Sequence, residues 1–295
     1  MASSNPDHKT ALAEPGMKMR IPRFRGLHAE PPPWLNFALA VTPFILFLAI
    51  YLFVAEIRHE DNPQDKLLPT LSKIALAVEK VAFVADSRSG EILLWQDTAA
   101  SLKRLMLGVG IASLVGFFLG LNMGLLPGIR GLSLTVLTFI ANIPPLAILP
   151  ILFITFGVDQ LGKVMLIILG TFPLIARDIY LETTKIPTNV VVKALTLGAS
   201  QFGVIYRVVM PQILPRLIDT IRLVLGAAWL FLIASEAIAS QDGLGYRIFL
   251  VRRYLSMDII IVYVLWITML AYAFDIFLRF LVGWLFPWYS PGMND

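Results

Sequence analysis

The carboxylate of Glu236 sits near the end of an apolar stretch running from Leu217 to Ile238, where an unpaired charge would be expensive. It admits a structural reading, a bond to a neighbouring helix, and a sharper one, gating. Asp275 and Arg279, four apart in the last apolar stretch, suit an intrahelical ion pair, and Arg222 suits a side chain that snorkels to the nearer interface. There is no cysteine, which excludes thiolate nucleophiles, thiolate metal sites and disulfides. His8, His28 and His59 lie in polar flanks, so no histidine-built catalytic or metal centre is expected within the apolar stretches. No G-x-x-x-x-G-K-[ST] phosphate loop occurs, and no H-E-x-x-H, Ser/His/Asp or paired-carboxylate arrangement is found clustered on facing apolar stretches. An intramembrane enzyme is therefore the weakest of the function classes, behind transport, whether by a carrier or channel that works alone or as part of a larger assembly.

The elements that must position these groups are membrane helices. Over 295 residues, 57% are hydrophobic and 15% charged, with mean hydropathy +0.76. Six stretches approach the ~20 apolar residues a span requires: Leu35–Ala55, Leu102–Leu121, Gly131–Phe156, Val164–Tyr180, Leu217–Ile238 and Ile259–Phe286. The fold class expected is an all-α polytopic membrane protein. Residues 1–33 read as a polar tail without the apolar run of a signal peptide, followed by a transmembrane domain over 34–290. Lys9, Lys18, Arg20, Arg23 and Arg25 place the N-terminus in the cytoplasm, and four crossings later Arg177, Lys185, Lys193, Arg207 and Arg216 mark a second cytoplasmic cluster over 181–216. Lys103, Arg104, Arg247, Arg252 and Arg253 fall on the opposite side and run against that rule. The net charge of +4 follows this topology and is not a nucleic-acid signal.

Within the external segment 67–97, LLPTLSKIALAVEKVAFV reads as an amphipathic surface helix with Leu71, Ile74, Ala75, Val78 and Val81 or Ala82 inward, packed on the bundle. Asp86–Glu91 reads as a turn, and Asp97 or Thr98 as the cap of the next helix. Gly108, Ala112, Gly116, Gly120 and Gly124 recur every fourth residue, which permits close helix approach within the subunit or at a seam between copies. Asn142, Pro144, Pro145 and Pro150 interrupt the third span and free backbone carbonyls that must face protein or a cavity. Asn142, Pro144, Pro145 and Glu236 are thus the candidates for a translocation path. Trp34, Trp284 and Trp288 suit the interfacial belts.

The segment Ile186–Arg222 is a polar, basic interruption between apolar stretches. Pro187 opens it, Thr188 or Asn189 caps a helix, and Val191, Leu195, Gly198, Phe202 and Ile205 follow at helical spacing. Gly198 is expected in mid-helix, where another backbone approaches; Gly203 is expected to end the helix, and Pro211 and Pro215 to block continuation into the next span. Such a helix either fits a partner's groove or packs on its own bundle.

The run A-L-T-L-G, nine residues, V-V-M-P resembles the EAA loop of permease subunits of binding-protein-dependent ATP-binding cassette importers. Gly198, Val208, Met210 and Pro211 match that pattern, as does Ala194 at its second alanine, whereas Val192 and Lys193 replace the acidic residue and the first alanine. Between about Leu67 and Pro287 the chain also resembles the nitrate, sulfonate and taurine group, including bicarbonate permeases. The resemblance implies a type I importer fold and a coupling helix that docks on an ATPase through Val191, Lys193, Ala194, Leu195, Gly198, Ala199, Phe202 and Pro211. It further implies two permease copies in lipid, two cytoplasmic ATPases and an external solute-binding protein, in a bacterial inner membrane. No cofactor is expected on this chain, ATP and Mg²⁺ being held by the ATPases. The solute expected is a small oxyanion, with neutral or cationic nitrogen compounds as the alternative.

Overall fold

The computed structural model describes residues 32–61, 67–86 and 90–289, so the polar tail expected over residues 1–33 lies almost wholly outside the described residues. The chain divides into two compact units, residues 1–63 and 64–295. In the first, α1 (Pro33–Asp61) is apolar and long enough to cross a membrane, with Trp34 exposed at its start. Pro43 removes an N–H from its middle, and the Thr42 hydroxyl donates to the Ala38 carbonyl at 2.7 Å.

The second unit is built on α3 (Leu93–Leu125) and α6 (Gln160–Thr184). The glycine stripe of α3 faces α6, not a second copy. A methyl on Gly108 would lie 2.7 Å from Ile167, one on Gly116 2.9 Å from Ile175, and one on Gly120 2.5 Å from the Ala176 carbonyl. With little hydrophobic drive between helices in lipid, such contact is where van der Waals stabilisation is gained. Leu105, Leu121, Leu166, Ile167, Ile175 and Ile179 are fully buried around it.

The stretch from Gly131 to Phe156, expected as one span, is broken. It forms α4 (Pro127–Ala141), a short 3₁₀ turn at Pro145–Ile148 and α5 (Leu149–Phe156), bent by 83°. Pro144 pushes Ile143 out of helical conformation, and neither Pro144 nor Pro145 has an N–H with which to continue the ladder. Counting this pair once, up to six spans exist among the described residues.

Beyond α6 come α7 (Thr188–Thr196), α8 (Gln201–Gly203), a π-helical stretch (Val204–Val209) and α9 (Met210–Ile238). From Gln201 to Ile238 the chain is one helical rod of 38 residues, contrary to the expectation that Gly203, Pro211 and Pro215 interrupt it. Pro211 falls in the first turn of α9, where a missing N–H costs little, and the π turn before it absorbs the change of register. Two further helices, α10 (Leu244–Arg252) and α11 (Met257–Leu285), complete the bundle.

The amphipathic helix is α2 (Leu71–Ala82), packed on α11 and α3. Its buried face is Ala77, Val81 and Ala82 with Ile74, whereas Leu71 is exposed, so the inward stripe lies rotated from the one expected. The Trp95 indole donates to the Ala82 carbonyl at 3.1 Å and meets Trp266 edge-on, which fixes the end of α2. Residues 87–89 of the turn expected over Asp86–Glu91 lie outside the described residues; at its edges Gly90 N–H donates to the Asp86 carbonyl at 2.8 Å. Helix α3 starts at Leu93, so Asp97 and Thr98 are interior residues, not caps.

The α3–α6 contact makes a direct prediction. Gly120→Ala should destabilise the purified protein by about 1–3 kcal/mol, because the methyl meets a carbonyl that cannot move alone. Gly110→Ala, whose methyl would meet nothing within 4 Å, should be neutral or stabilising. Thermal unfolding of both variants in detergent checks this; equal behaviour would contradict the packing.

Candidate functional site

The functional geometry lies at the two ends of the Gln201–Ile238 rod. At ~1.5 Å per residue a rod of 38 residues spans roughly 55 Å, well beyond the ~30 Å hydrocarbon core, so it is long enough for its ends to stand on opposite sides.

At the first end, α7 begins directly after Pro187, whose backbone is extended, and neither Thr188 nor Asn189 caps it. It ends at Gly198, which has φ +87° and no neighbour for a methyl within 4 Å. Gly198 is therefore not the mid-helix point of close approach expected. It is the left-handed residue that stops the helix, with Ala199 N–H returning to the Ala194 carbonyl at 3.1 Å. Ser200 then caps the next turn, accepting from Gly203 N–H at 3.1 Å. Breaking the helix at Gly198 splits the expected stripe. Val191, Ala194 and Ala199 pack on a core that includes Ile205, whereas Leu195, Leu197 and Phe202 point outward at 43%, 89% and 69% exposure. Val192, Lys193 and Pro211 are exposed as well. Phe202 stacks on Tyr206, whose hydroxyl lies 3.3 Å from the Asn122 amide.

At the second end is a buried polar knot. Glu236 and Arg104, 0% and 1% exposed, meet at 2.7 Å. The Ser101 hydroxyl lies 2.8 and 2.9 Å from the two Glu236 oxygens, and Gly245 N–H donates at 2.9 Å. Arg104 also reaches the Asp242 carboxylate, the Asp242 carbonyl at 3.1 Å and the Gln160 side chain at 2.7 Å. Asp97 accepts from Gly243 N–H at 3.0 Å, Arg247 Nε at 2.8 Å and the Tyr263 hydroxyl at 2.9 Å. Leu244 N–H donates to Ser101 Oγ at 2.8 Å. Three successive backbone N–H groups are thereby held by side chains of α3 and α9. Gly243 is required twice over, by φ +114° and because a methyl would lie 2.5 Å from the Glu236 carboxylate. Burial alone would pull the Arg247 guanidinium down; its bond to Asp97 and that carboxylate's charge outweigh burial and hold it above its ordinary value.

Between the ends, Asp178 on α6 takes Arg216 through two bonds, 2.9 and 2.8 Å, and the Thr220 hydroxyl at 2.5 Å. Arg222 does not snorkel: it bridges Asp219 at 2.9 Å and Asp275 at 2.8 Å, tying α9 to α11. Asp275 also pairs with Arg279 at 2.8 Å, the bond expected from their spacing. The Tyr289 hydroxyl donates to Asp219 at 3.1 Å, kept protonated by burial and then by that carboxylate's charge.

Of the path candidates, Asn142 and Pro144 are exposed at the α4–α5 bend, Pro145 is half-buried there, and Asn142 donates to the Thr138 carbonyl at 2.9 Å. Glu236 is enclosed in the knot and shares no hydrogen bond with them among the described residues. Asp97 was singled out only as a helix cap, and Ser101, Lys163, Asp178 and Asp242 were not singled out by sequence reasoning. The misplaced positive charges at Arg104 and Arg247 were the available signal, since a cation on the wrong side calls for a buried partner.

Removing one partner of a buried pair strands the other charge, at ~3–5 kcal/mol. Arg104 keeps Asp242, so Glu236→Gln should lower thermal stability by less than that, about 1–3 kcal/mol, and Arg104→Gln/Glu236→Gln should cost at least about 1 kcal/mol less than the two single changes added. A purely additive result in detergent unfolding would show the two groups to be uncoupled.

Residues 112–291, more than half of the chain, match the family model described as binding-protein-dependent transport system inner membrane component. The taurine transport system permease protein of Escherichia coli K12 is 34% identical over 197 residues, 67% of this chain and 72% of the relative. A putative aliphatic sulfonates transport permease of the same organism is 32% identical over 200 residues, covering 66% and 73%. The bicarbonate transport system permease of Synechococcus elongatus is 29% identical over 197 residues, covering 65% and 69%. Among solved structures, an inward-facing form of the MetNI methionine ABC transporter superposes with TM-score 0.55 at 19% identity, over 67% of this chain and 98% of that one, which is a likeness of fold. With its helical rod, its short exposed helix and these matches, the chain belongs to the family of binding-protein-dependent transport system inner membrane components.

Proposed function

We propose that this chain is one of two like permease subunits of an ATP-driven importer for small sulfonate-, taurine- or bicarbonate-type solutes. Its place would be a bacterial inner membrane, with the N-terminus cytoplasmic. Family membership supports the importer class, and the names of the relatives support the solute class. The orientation is supported by the basic residues around α7 and by the consumption of Arg104 and Arg247, two of the charges that opposed it, in ion pairs.

The observation that carries the reading is the junction of α7 with the rod. A nine-residue helix with outward Leu195, followed by outward Leu197 and Phe202, is joined through inward Val191 and Ala194 to the base of a membrane-crossing helix. In this reading α7 sits in a groove of a cytoplasmic ATPase that holds ATP and Mg²⁺, while an external binding protein delivers the solute at the knot end. When the ATPases close on ATP, α7 is displaced and the rod tilts as a lever, exchanging inward and outward access. Neither ATP nor the loaded receptor shifts that equilibrium unless each binds one state more tightly. Val192 and Lys193 supply no carboxylate to the groove, so docking here rests on apolar contact.

Leu195→Asp with Leu197→Asp changes only exposed positions and should leave folding intact. It should weaken ATPase co-purification at least about tenfold, the worth of ~1.4 kcal/mol at the interface. Normal recovery of the ATPase with this double variant would refute the docking surface.

A further inference from the structure

A pocket of about 450 Å³ opens beside the knot, between the start of α6 and the Ala239–Asp242 segment. That volume suits a small solute. Arg104 and Asp242 line it but are engaged with each other and with Glu236 and Gln160. Two other lining groups are not. Lys163 is 3% exposed, yet its ammonium makes one hydrogen bond, to Ser240 Oγ at 2.9 Å, and forms no ion pair among the described residues. Asp159 is exposed and forms no ion pair either.

Asp159 and Lys163 stand four apart at the head of one helix, the spacing at which opposite charges ordinarily join. Here they do not join: Lys163 turns inward to Ser240, Asp159 stays at the rim, and the pocket lies among them. A buried ammonium with two unused hydrogens is costly to leave unpaired, and it calls for an anionic partner. The Gln160 oxygen is fixed by Arg104, which leaves the Gln160 amide hydrogens as further donors. A simple anion is disfavoured, since the lining already carries two carboxylates against two cations, with the Glu236 carboxylate directly behind Arg104. A ligand carrying both charges fits the arrangement.

We propose that this pocket binds a small zwitterion, an oxyanion group on Lys163 and Gln160 and an ammonium group on Asp159. The proposal deepens the importer reading and rests on it, placing a selective site in the permease in addition to any receptor. Each charge-assisted contact is worth a tenfold change in affinity or more.

The test is isothermal titration of the assembled permease–ATPase complex in lipid nanodiscs with three probes: 2-aminoethanesulfonate, ethanesulfonate and nitrate. Saturable binding of 2-aminoethanesulfonate at least about tenfold tighter than that of the other two is expected. Asp159→Asn, an exposed position without a structural bond, should erase the preference over ethanesulfonate while leaving ATPase recovery normal. Lys163→Gln should abolish binding of both sulfonates. Equal binding of 2-aminoethanesulfonate and ethanesulfonate, an unchanged preference in Asp159→Asn, or no saturable binding by an intact complex would overturn the proposal. Since assembly with the ATPase is read independently, these outcomes leave the importer reading standing, whereas failure of assembly strikes at that reading.

Discussion

The Glu236–Arg104 pair is the constraint around which the far end of the molecule is organised. Two charges removed from water are tolerated only when every remaining lone pair and proton is answered, and here Ser101, Gly245, Asp242 and Gln160 answer them. One consequence is mechanical. The loop after α9 is held by its own backbone N–H groups to Asp97, Ser101 and Glu236, so α3, α9 and α10 meet at one fixed point. Another consequence is topological, because arginines bonded to buried carboxylates no longer behave as free surface charges.

The same logic governs the middle of the bundle. Asp178 joins α6 to α9 through Arg216 and Thr220, and Arg222 joins α9 to α11 through Asp275. The bidentate Arg216–Asp178 contact fixes the angle between its two helices, whereas Arg222 divides its bonds between Asp219 and Asp275. The α3–α6 face is fixed differently, by glycines that bring one helix within reach of the other's carbonyls. A lever requires stiffness at its bearings and freedom at its tip. At the α7 tip and just beyond it, Leu195, Leu197 and Phe202 are left uncovered within their own subunit.

Much of the architecture was legible in the residues. Periodicity and length located the spans, and the four-residue glycine repeat located a helix contact, although spacing alone could not say which helix it met. Pro144 and Pro145 signalled an interruption but not an 83° bend, because the angle depends on what the two halves pack against. The helix stop at Gly198 was misplaced for a similar reason: glycine costs helix energy both in mid-helix and at a terminus, and only φ +87° distinguishes the two. Pro211 and Pro215 were overread as breaks, since a π turn can restore continuity. The knot was the least legible part. Arg104 and Glu236 are 132 residues apart, and no local pattern pairs them. Its traces in the sequence were a carboxylate in an apolar stretch, Glu236, and arginines whose positions defied the topology rule.

The central claim is that one rod carries force between a cytosolic helix and an external knot, and sidedness tests it most directly. Because the chain has no cysteine, single substitutions report cleanly to a membrane-impermeant maleimide. Leu197→Cys should be labelled only in inverted vesicles and be shielded when the ATPase is bound; Tyr254→Cys, exposed just past α10, should be labelled in cells whose outer surface is accessible. Labelling of Leu197→Cys from outside, or labelling unaffected by the ATPase, would contradict the account.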